Sequence, residues 1–275
     1  ASDPLWRAAA SPRARLSARR RRSSAPQFLV RRGLIPDGEI KATIKVPEAL
    51  DIEVDLSNVV GLLRGTKRPD EFVVFSAHYD HIGVGLPVRG DSINNGADDD
   101  ATGTTAVMEL ARYFAASGAL DRSLLFVAFS AEEQGLRGSR AFAENPPVPL
   151  EQIVANVNIE MIGRPEEGKA YKAWVTGTGR SDFVDYARRA FERAGLGIVE
   201  FKMGDQLFRQ SDNWSLAQKG VVAHSLSAGS LHQDYHKPSD EVSRIEIEHM
   251  TAIIRGLAEL GRELAAAQGR PQWTK

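Results

Sequence analysis

Histidine and carboxylate side chains recur in this sequence directly after short apolar runs. The four runs cover 72–77, 124–130, 153–159 and 221–226. The residues that follow them are His78, Asp80, Glu132, Glu133, Glu160 and His236, and three consecutive aspartates, Asp98, Asp99 and Asp100, lie between the first two runs. Imidazole and carboxylate groups suit zinc, manganese or cobalt, and imidazole argues against magnesium or calcium. These residue types predict a metal site built from nitrogen and oxygen ligands.

The composition restricts this chemistry further. The 275 residues include no cysteine, which excludes disulfides, thiolate nucleophiles and zinc sites with sulfur ligands. Hydrophobic residues make up 42% and charged residues 26%, as in ordinary globular proteins. No apolar run approaches the roughly 18 residues of a membrane-spanning helix, so no span is expected.

Each of these groups alone has an ordinary structural explanation. A His-x-Asp pair can be a histidine held by a hydrogen bond, adjacent glutamates suit the start of a helix, and three aspartates suit a turn. Five potential ligands at five separate strand or loop ends are better explained by a metal site. A carboxylate between two metals can bridge them, while one of two paired glutamates ligates and the other acts as a general base. The sequence therefore predicts metal-assisted hydrolysis.

The apolar runs alternate with amphipathic segments, as expected of an α/β fold. Short continuous apolar runs are typical of strands buried on both faces, and helices are predicted at about 103–117, 181–194 and 246–267. We expect a three-layer sandwich, with a mostly parallel mixed sheet flanked by helices. In such sheets functional residues gather past the carboxyl ends of the strands. Alternation over 40–46 and 52–56 predicts an antiparallel pair at a sheet edge.

The charge distribution separates an amino-terminal arm from the remainder of the chain. Residues 1–32 carry nine arginines and one acid, a net charge of +8, which leaves −9 on residues 33–275 because the total is −1. This composition predicts a disordered arm, followed by one catalytic domain over 33–275. Charge alone would also allow a tether to nucleic acid or an anionic membrane, but a solvated tail or a processed terminus is the simpler explanation. No nucleic-acid partner is expected, and no signal peptide is visible.

Five ordered motifs resemble the zinc aminopeptidases with two co-catalytic metals, a family that also holds bacterial leucyl-type aminopeptidases, glutamate carboxypeptidase and glutaminyl cyclase. The motifs are AHYDH, GADDDATG, SAEEQGLRGS, NIEMIG and DYHKPSD, within about 56–265. The resemblance implies a zinc-exopeptidase-like fold, two zinc ions per chain and a peptide substrate. It also favours a secreted or periplasmic location, and it does not predict the oligomeric state.

The resemblance also implies a role for each motif. His78 and Glu160 would bind the first metal, Glu133 and His236 the second, and Asp99 would bridge the two, with a cis peptide bond to Asp100. Asp80 would orient His78, Glu132 would be the general base, and Tyr235 would polarise the substrate carbonyl. Many members carry aspartate where this chain has Glu160, which puts the spacing and relative affinity of the two metals in question.

Several other residues have weaker signals. The segment 204–216 resembles the one that lines the substrate cleft of the family, which makes Arg209, Asp212 and Trp214 candidates for substrate binding. His81 is predicted to be a surface histidine and His224 a core histidine. Asp240 is predicted to cap the next turn, with support of a metal ligand as the alternative, and His232 receives no role.

The function expected from the resemblance is removal of amino-terminal residues from peptides by a metallopeptidase. Two alternatives keep the fold and change the reaction, to a carboxypeptidase or to a glutaminyl cyclase that uses one zinc ion. A third alternative is a binding protein that retains an inactive site.

Overall fold

The computed structural model describes residues 6–8, 14–18, 52–118 and 120–274. In chain order the strands are β1 (Trp6–Ala8), β2 (Ala14–Ala18), β3 (Ile52–Leu56), β4 (Val59–Leu63), β5 (Arg68–His78), β6 (Gly83–Val88), β7 (Asp91–Asn94), β8 (Arg122–Phe129), β9 (Ile153–Glu160), β10 (Lys172–Val175), β11 (Gly197–Ile198) and β12 (Ala223–Ser227). The helices are α1 (Gly103–Ser117), α2 (Arg137–Glu144), α3 (Phe183–Arg193), α4 (Gly204–Leu207), α5 (Asn213–Ala217) and α6 (Ile247–Ala266).

One mixed sheet forms the centre of the fold. Its strand order is β1-β4-β8-β5-β9-β12-β10-β11, and β8, β5, β9 and β12 run parallel. The neighbours β4 and β10 pair antiparallel on either side of this group. The four parallel strands are the four apolar runs of the sequence, so the prediction of a mostly parallel mixed sheet is confirmed. Their carboxyl ends therefore meet at one edge of the sheet.

Helices cover both faces of the sheet and make three layers. Side chains of successive strand residues point to opposite faces, so Phe75 packs with α1 and α6, while Val74 packs with Phe142 of α2 and Leu216 of α5. Helix α6 buries Ile253, Leu257, Leu260 and Leu264 as a single stripe against the first of these faces. The predicted three-layer sandwich is confirmed.

The amino-terminal part is described only in short pieces. Strand β1 pairs with β4, and β2 pairs antiparallel with β3, so two segments of the predicted arm take part in sheets. The other residues of the arm and the run 40–46 lie outside the described residues. Disorder of the arm and its separation from a domain at 33–275 stay predictions. Among the helices of the described ranges, none has both the length and the apolar character needed to cross a membrane.

Candidate metal centre

The carboxyl ends of the parallel strands bring the predicted ligands together. His78 is the last residue of β5 and Glu160 the last residue of β9, while Glu132 and Glu133 follow β8 by three and four residues. Asp99 lies in the turn that leads into α1, and His236 lies in the loop after β12. Neighbouring parallel strands therefore position side chains that are distant in the sequence.

The first group of possible metal ligands consists of His78, Asp99 and Glu160. The Nε2 atom of His78 lies 3.4 Å from Oδ1 of Asp99 and 3.7 Å from Oε2 of Glu160. Burial alone would lower the pKa of His78, but the negative charges of Glu160 and Asp99 raise it well above its usual value. Three such side chains around one point are a typical set of zinc ligands.

A second group of possible ligands shares Asp99 with the first. The other carboxylate oxygen of Asp99, Oδ2, lies 3.1 Å from Nε2 of His236, and that nitrogen also lies 3.1 Å from Oε1 of Glu133. All three atoms are buried and make no hydrogen bond among the described residues. Because buried polar atoms are nearly always satisfied, a shared cation fits this cluster better than an empty polar cavity. The nitrogen and oxygen donors fit zinc.

The turn that carries Asp99 is held from both sides. The fully buried carboxylate of Asp240 accepts hydrogen bonds from the backbone N–H groups of Asp98 and Asp99. The carboxyl of Asp100 accepts hydrogen bonds from the N–H groups of Gly103 and Met161, and the Asp99–Asp100 peptide bond is cis, as the resemblance implies. Asp240 therefore positions the backbone at Asp99, a supporting role that the sequence left open beside a cap for the next turn.

Asp80 contacts its neighbours differently from the sequence expectation. Its carboxylate lies 3.7 Å from Nδ1 of His78, too far for a hydrogen bond, whereas its backbone carbonyl oxygen lies 2.9 Å from that nitrogen. The carboxylate instead accepts hydrogen bonds from the N–H groups of Glu132 and Glu133, at 3.0 and 3.3 Å. The side chain of Asp80 thus fixes the backbone of the paired glutamates.

Glu132 and Tyr235 line a cleft beside the two ligand groups. Burial raises the pKa of Glu132 to about 9, with further contributions from neighbouring carboxylates such as Glu160. Burial and then the charges of Asp99 and Glu133 raise the pKa of Tyr235, so its phenol keeps its proton. The Tyr235 ring stacks on His236 with centroids 3.9 Å apart, which places the hydroxyl-bearing ring next to a ligand.

Glu160 is held by polar side chains beneath it. Its Oε1 accepts hydrogen bonds from the Ser211 hydroxyl and from Nδ2 of Asn158. Asn158 also donates to Ser211, at 2.7 Å. These contacts leave Oε2 of Glu160 directed to His78, so the longer side chain reaches the same group that an aspartate is expected to reach.

The segment 204–216 contributes Leu207, Gln210 and Ser211 to the lining of this cleft. Substrate binding by Arg209, Asp212 and Trp214, which are not among the lining residues, stays a prediction. Leu207 ends α4, and the backbone N–H of Gln210 donates to the Leu207 carbonyl group in the turn that follows. Arg209 lies over the Trp214 ring instead, 5.1 Å from its centroid. Asp212 is fully buried, and burial raises its pKa to about 7.

The histidines outside the resemblance have three different environments. His224 is a core histidine, as predicted, and burial lowers its pKa to about 4. His232 lies 3.3 Å from a carboxylate oxygen of Asp98, beside the centre. His81 was expected at the surface, but its side chain is only 8% exposed and lies against Glu133. Its adjacency to the His78 motif was the only sequence signal for this position.

Comparison with known proteins identifies the class to which this fold and site belong. The model of Peptidase family M28 matches residues 58–261, and the chain belongs to that family. Aminopeptidase YwaD of Bacillus subtilis (strain 168) is 29% identical over 203 residues, which are 70% of this chain and 41% of that protein.

Solved structures agree with this classification. BSAP, a zinc aminopeptidase from Bacillus subtilis, matches with a TM-score of 0.62 and 25% identity, over 78% of this chain and 51% of that one. Glutaminyl cyclase of Porphyromonas gingivalis shares the fold, with a TM-score of 0.64 at 17% identity over 81% of this chain and 82% of that one. The chain thus spans about half or less of the length of these two aminopeptidases, YwaD and BSAP.

Proposed function

We propose that this chain is an aminopeptidase that holds two zinc ions and removes amino-terminal residues from peptides. The proposal is supported above all by the position of Asp99, because its two carboxylate oxygens belong to two different ligand groups. His78 and Glu160 complete the first group, and Glu133 belongs to the second. His236 joins the second group because its Nε2 lies 3.1 Å from both Oδ2 of Asp99 and Oε1 of Glu133. The named zinc aminopeptidase among the similar structures supports the choice of metal.

The chain's own residues supply the proton transfers. When bound, zinc supplies Lewis acidity that activates water and polarises a carbonyl group. Glu132 takes a proton from the attacking water and later gives it to the amine that leaves, so that one water adds across one peptide bond. Positive charge in the ligand groups would lower the raised pKa of Glu132 towards neutrality, where a general base works best. The protonated Tyr235 donates a hydrogen bond to the carbonyl oxygen as negative charge develops there.

The charge of the cleft favours a substrate with a free amino terminus. Its described lining includes carboxylates of Asp99, Glu132 and Glu160 and contains no lysine or arginine. A carboxypeptidase needs a cation, most often arginine, for the terminal carboxylate of its substrate, and the described lining offers no such side chain. The cleft therefore supports an aminopeptidase over a carboxypeptidase.

Five large apolar side chains also line the cleft. Trp174 stacks on Phe201 with ring centroids 4.2 Å apart, and the others are Met161, Leu207 and Leu231. Transfer of an apolar side chain from water to such a wall is favourable, so we expect a preference for a large apolar first residue.

A panel of chromogenic substrates tests the proposal. We expect hydrolysis of leucine p-nitroanilide but not of its N-acetyl form, loss of activity with a chelator, and recovery with zinc. Preference for an acyl-amino-acid substrate with a free carboxylate would contradict the aminopeptidase proposal. Ring closure of an amino-terminal glutamine without peptide hydrolysis would favour the cyclase reaction.

A further inference from the structure

The side chain of His81 is largely buried beside the second ligand group and makes no hydrogen bond with the described residues. Its side chain is 8% exposed, and both ring nitrogens are buried with no hydrogen bond among the described residues. An imidazole always carries at least one N–H donor, and a neutral ring also has one acceptor nitrogen. Leaving both nitrogens unsatisfied is unfavourable, so this position calls for a group that the ring can bind.

The free nitrogen points at the same two oxygens that His236 contacts. Nδ1 of His81 lies 3.0 Å from Oε1 of Glu133 and 3.8 Å from Oδ2 of Asp99. Nε2 of His236 lies 3.1 Å from each of those oxygens, and the two rings meet edge to face with centroids 5.4 Å apart. The same two carboxylate oxygens thus face two imidazole nitrogens, and the ligand atoms of His81, Asp99 and Glu133 lie within 4.8 Å of one another.

The backbone beside His81 is shaped to admit its ring. Gly96 has φ of 63°, and a Cβ placed there would lie 2.5 Å from Cγ of His81 and 2.4 Å from the carbonyl oxygen of Asp99. A side chain at this position would therefore force the ring away from Glu133. The close approach of Gly96 is an observation independent of the ligand distances, and both fix the ring where Nδ1 faces the cluster.

We propose that Nδ1 of His81 is a fourth protein ligand of the second metal, beside Asp99, Glu133 and His236. The inference rests on the metal centre of the proposed function and does not depend on peptide hydrolysis. Two imidazoles then bind the second metal, whereas the first metal has one imidazole, His78. Because chelation by more ligands holds a metal more tightly, the second metal leaves more slowly than the first when a chelator removes both.

Cadmium-113 NMR on protein labelled with nitrogen-15 in histidine counts the ligating nitrogens directly. The cadmium-loaded protein should show one-bond cadmium–nitrogen couplings to three histidine nitrogens, those of His78, His81 and His236. The His81 coupling should involve Nδ1 rather than Nε2. Couplings to only two histidines in the intact protein would overturn the proposal, and this measurement requires no variant to fold.

Zinc titration against a competing chelator measures the contribution of His81. His81→Gln and His81→Phe should each raise the dissociation constant of one of two zinc ions by more than about 100-fold, the upper end of losses for partners that only support a ligand. The phenylalanine keeps the ring beside Gly96 but offers no nitrogen. His249→Gln is the matched control, because His249 is also a largely buried histidine but is hydrogen-bonded to the carbonyl group of Ala228. This variant should leave both dissociation constants within about threefold.

The outcomes separate the two proposals. If His81→Phe leaves both zinc dissociation constants within threefold of the unchanged protein, the ring acts only by packing, and the assignment of His81 as a ligand is overturned. Three ligating histidines in a protein that hydrolyses none of the substrates would leave His81 as a ligand and contradict the proposed aminopeptidase.

Discussion

Replacement of Asp80 by asparagine separates two possible roles of its side chain. In the structure the carboxylate accepts hydrogen bonds from the backbone N–H groups of Glu132 and Glu133, and His78 is oriented by the backbone carbonyl of Asp80. Asparagine has the same shape but offers one oxygen and one NH₂ group. Asp80→Asn therefore turns one of the two acceptors into a donor that faces an N–H group.

The expected decrease in the free energy of unfolding follows from that geometry. A hydrogen bond to a charged acceptor contributes about 1.5–3 kcal/mol, and partial exposure of Asp80 to solvent puts the decrease in the lower half of that range. A shift of the glutamate backbone by a fraction of an ångström also displaces Glu132, the proposed general base. We expect kcat to fall by about 10- to 100-fold through this displacement. Zinc content should stay at the level of the unchanged protein, because the contact to His78 involves only the backbone.

Urea denaturation, zinc analysis after dialysis and steady-state hydrolysis of leucine p-nitroanilide measure these three effects on one preparation. Asp205→Asn is a suitable control, since Asp205 forms an exposed pair with Arg180 on the surface and its replacement should change none of the three. Loss of one zinc ion by Asp80→Asn, with activity restored fully by excess zinc, would refute this reasoning and favour a carboxylate that orients His78.

Three further predictions concern residues around the site and in the core. Arg122→Met should lower the free energy of unfolding by about 3–5 kcal/mol in a urea titration. This buried arginine pairs with Glu71 and donates hydrogen bonds to the carbonyl groups of Leu264, in the last turn of α6, and Gly269, after that helix. Ser211→Ala should weaken the binding of one zinc ion about 10- to 100-fold in a chelator competition, since the Ser211 hydroxyl donates a hydrogen bond to Glu160, a proposed ligand. His224→Asn should remove a pH dependence of stability. The pKa of His224 is about 4 in the folded protein and about 6.5 in the unfolded chain, so the unfolded chain binds a proton first as the pH falls. The free energy of unfolding of the unchanged protein should therefore fall by about 3 kcal/mol between pH 6.5 and pH 4. Equal slopes for His224→Asn and the unchanged protein over that range would contradict the last prediction.

The main features of the sheet were predictable because its central strands are buried on both faces. Continuous apolar runs mark β5, β8, β9 and β12, and the residues after them had to meet at one edge. The stripe of α6 was equally clear, since its spacing repeats over 20 residues. Such patterns are local in the sequence, and local patterns can be recognised without coordinates.

The contacts that adjust the site could not be predicted in the same way. Whether Asp80 uses its carboxylate or its carbonyl group depends on the turn after β5, and both atoms belong to the same residue. The burial of His81 depends on the approach of Gly96 from 15 residues away. The wall formed by Leu207 and Gln210 depends on the rotation of a short helical turn, which no periodic pattern records.

Replacement of Glu132 by glutamine is the most direct test of the proposal that this side chain transfers protons during zinc-dependent hydrolysis. The glutamine keeps the size of the side chain but cannot take a proton, so the variant should retain two zinc ions and hydrolyse leucine p-nitroanilide about 100- to 10,000-fold more slowly. Full activity of Glu132→Gln with the same zinc content would contradict the proposed role of Glu132 as the general base.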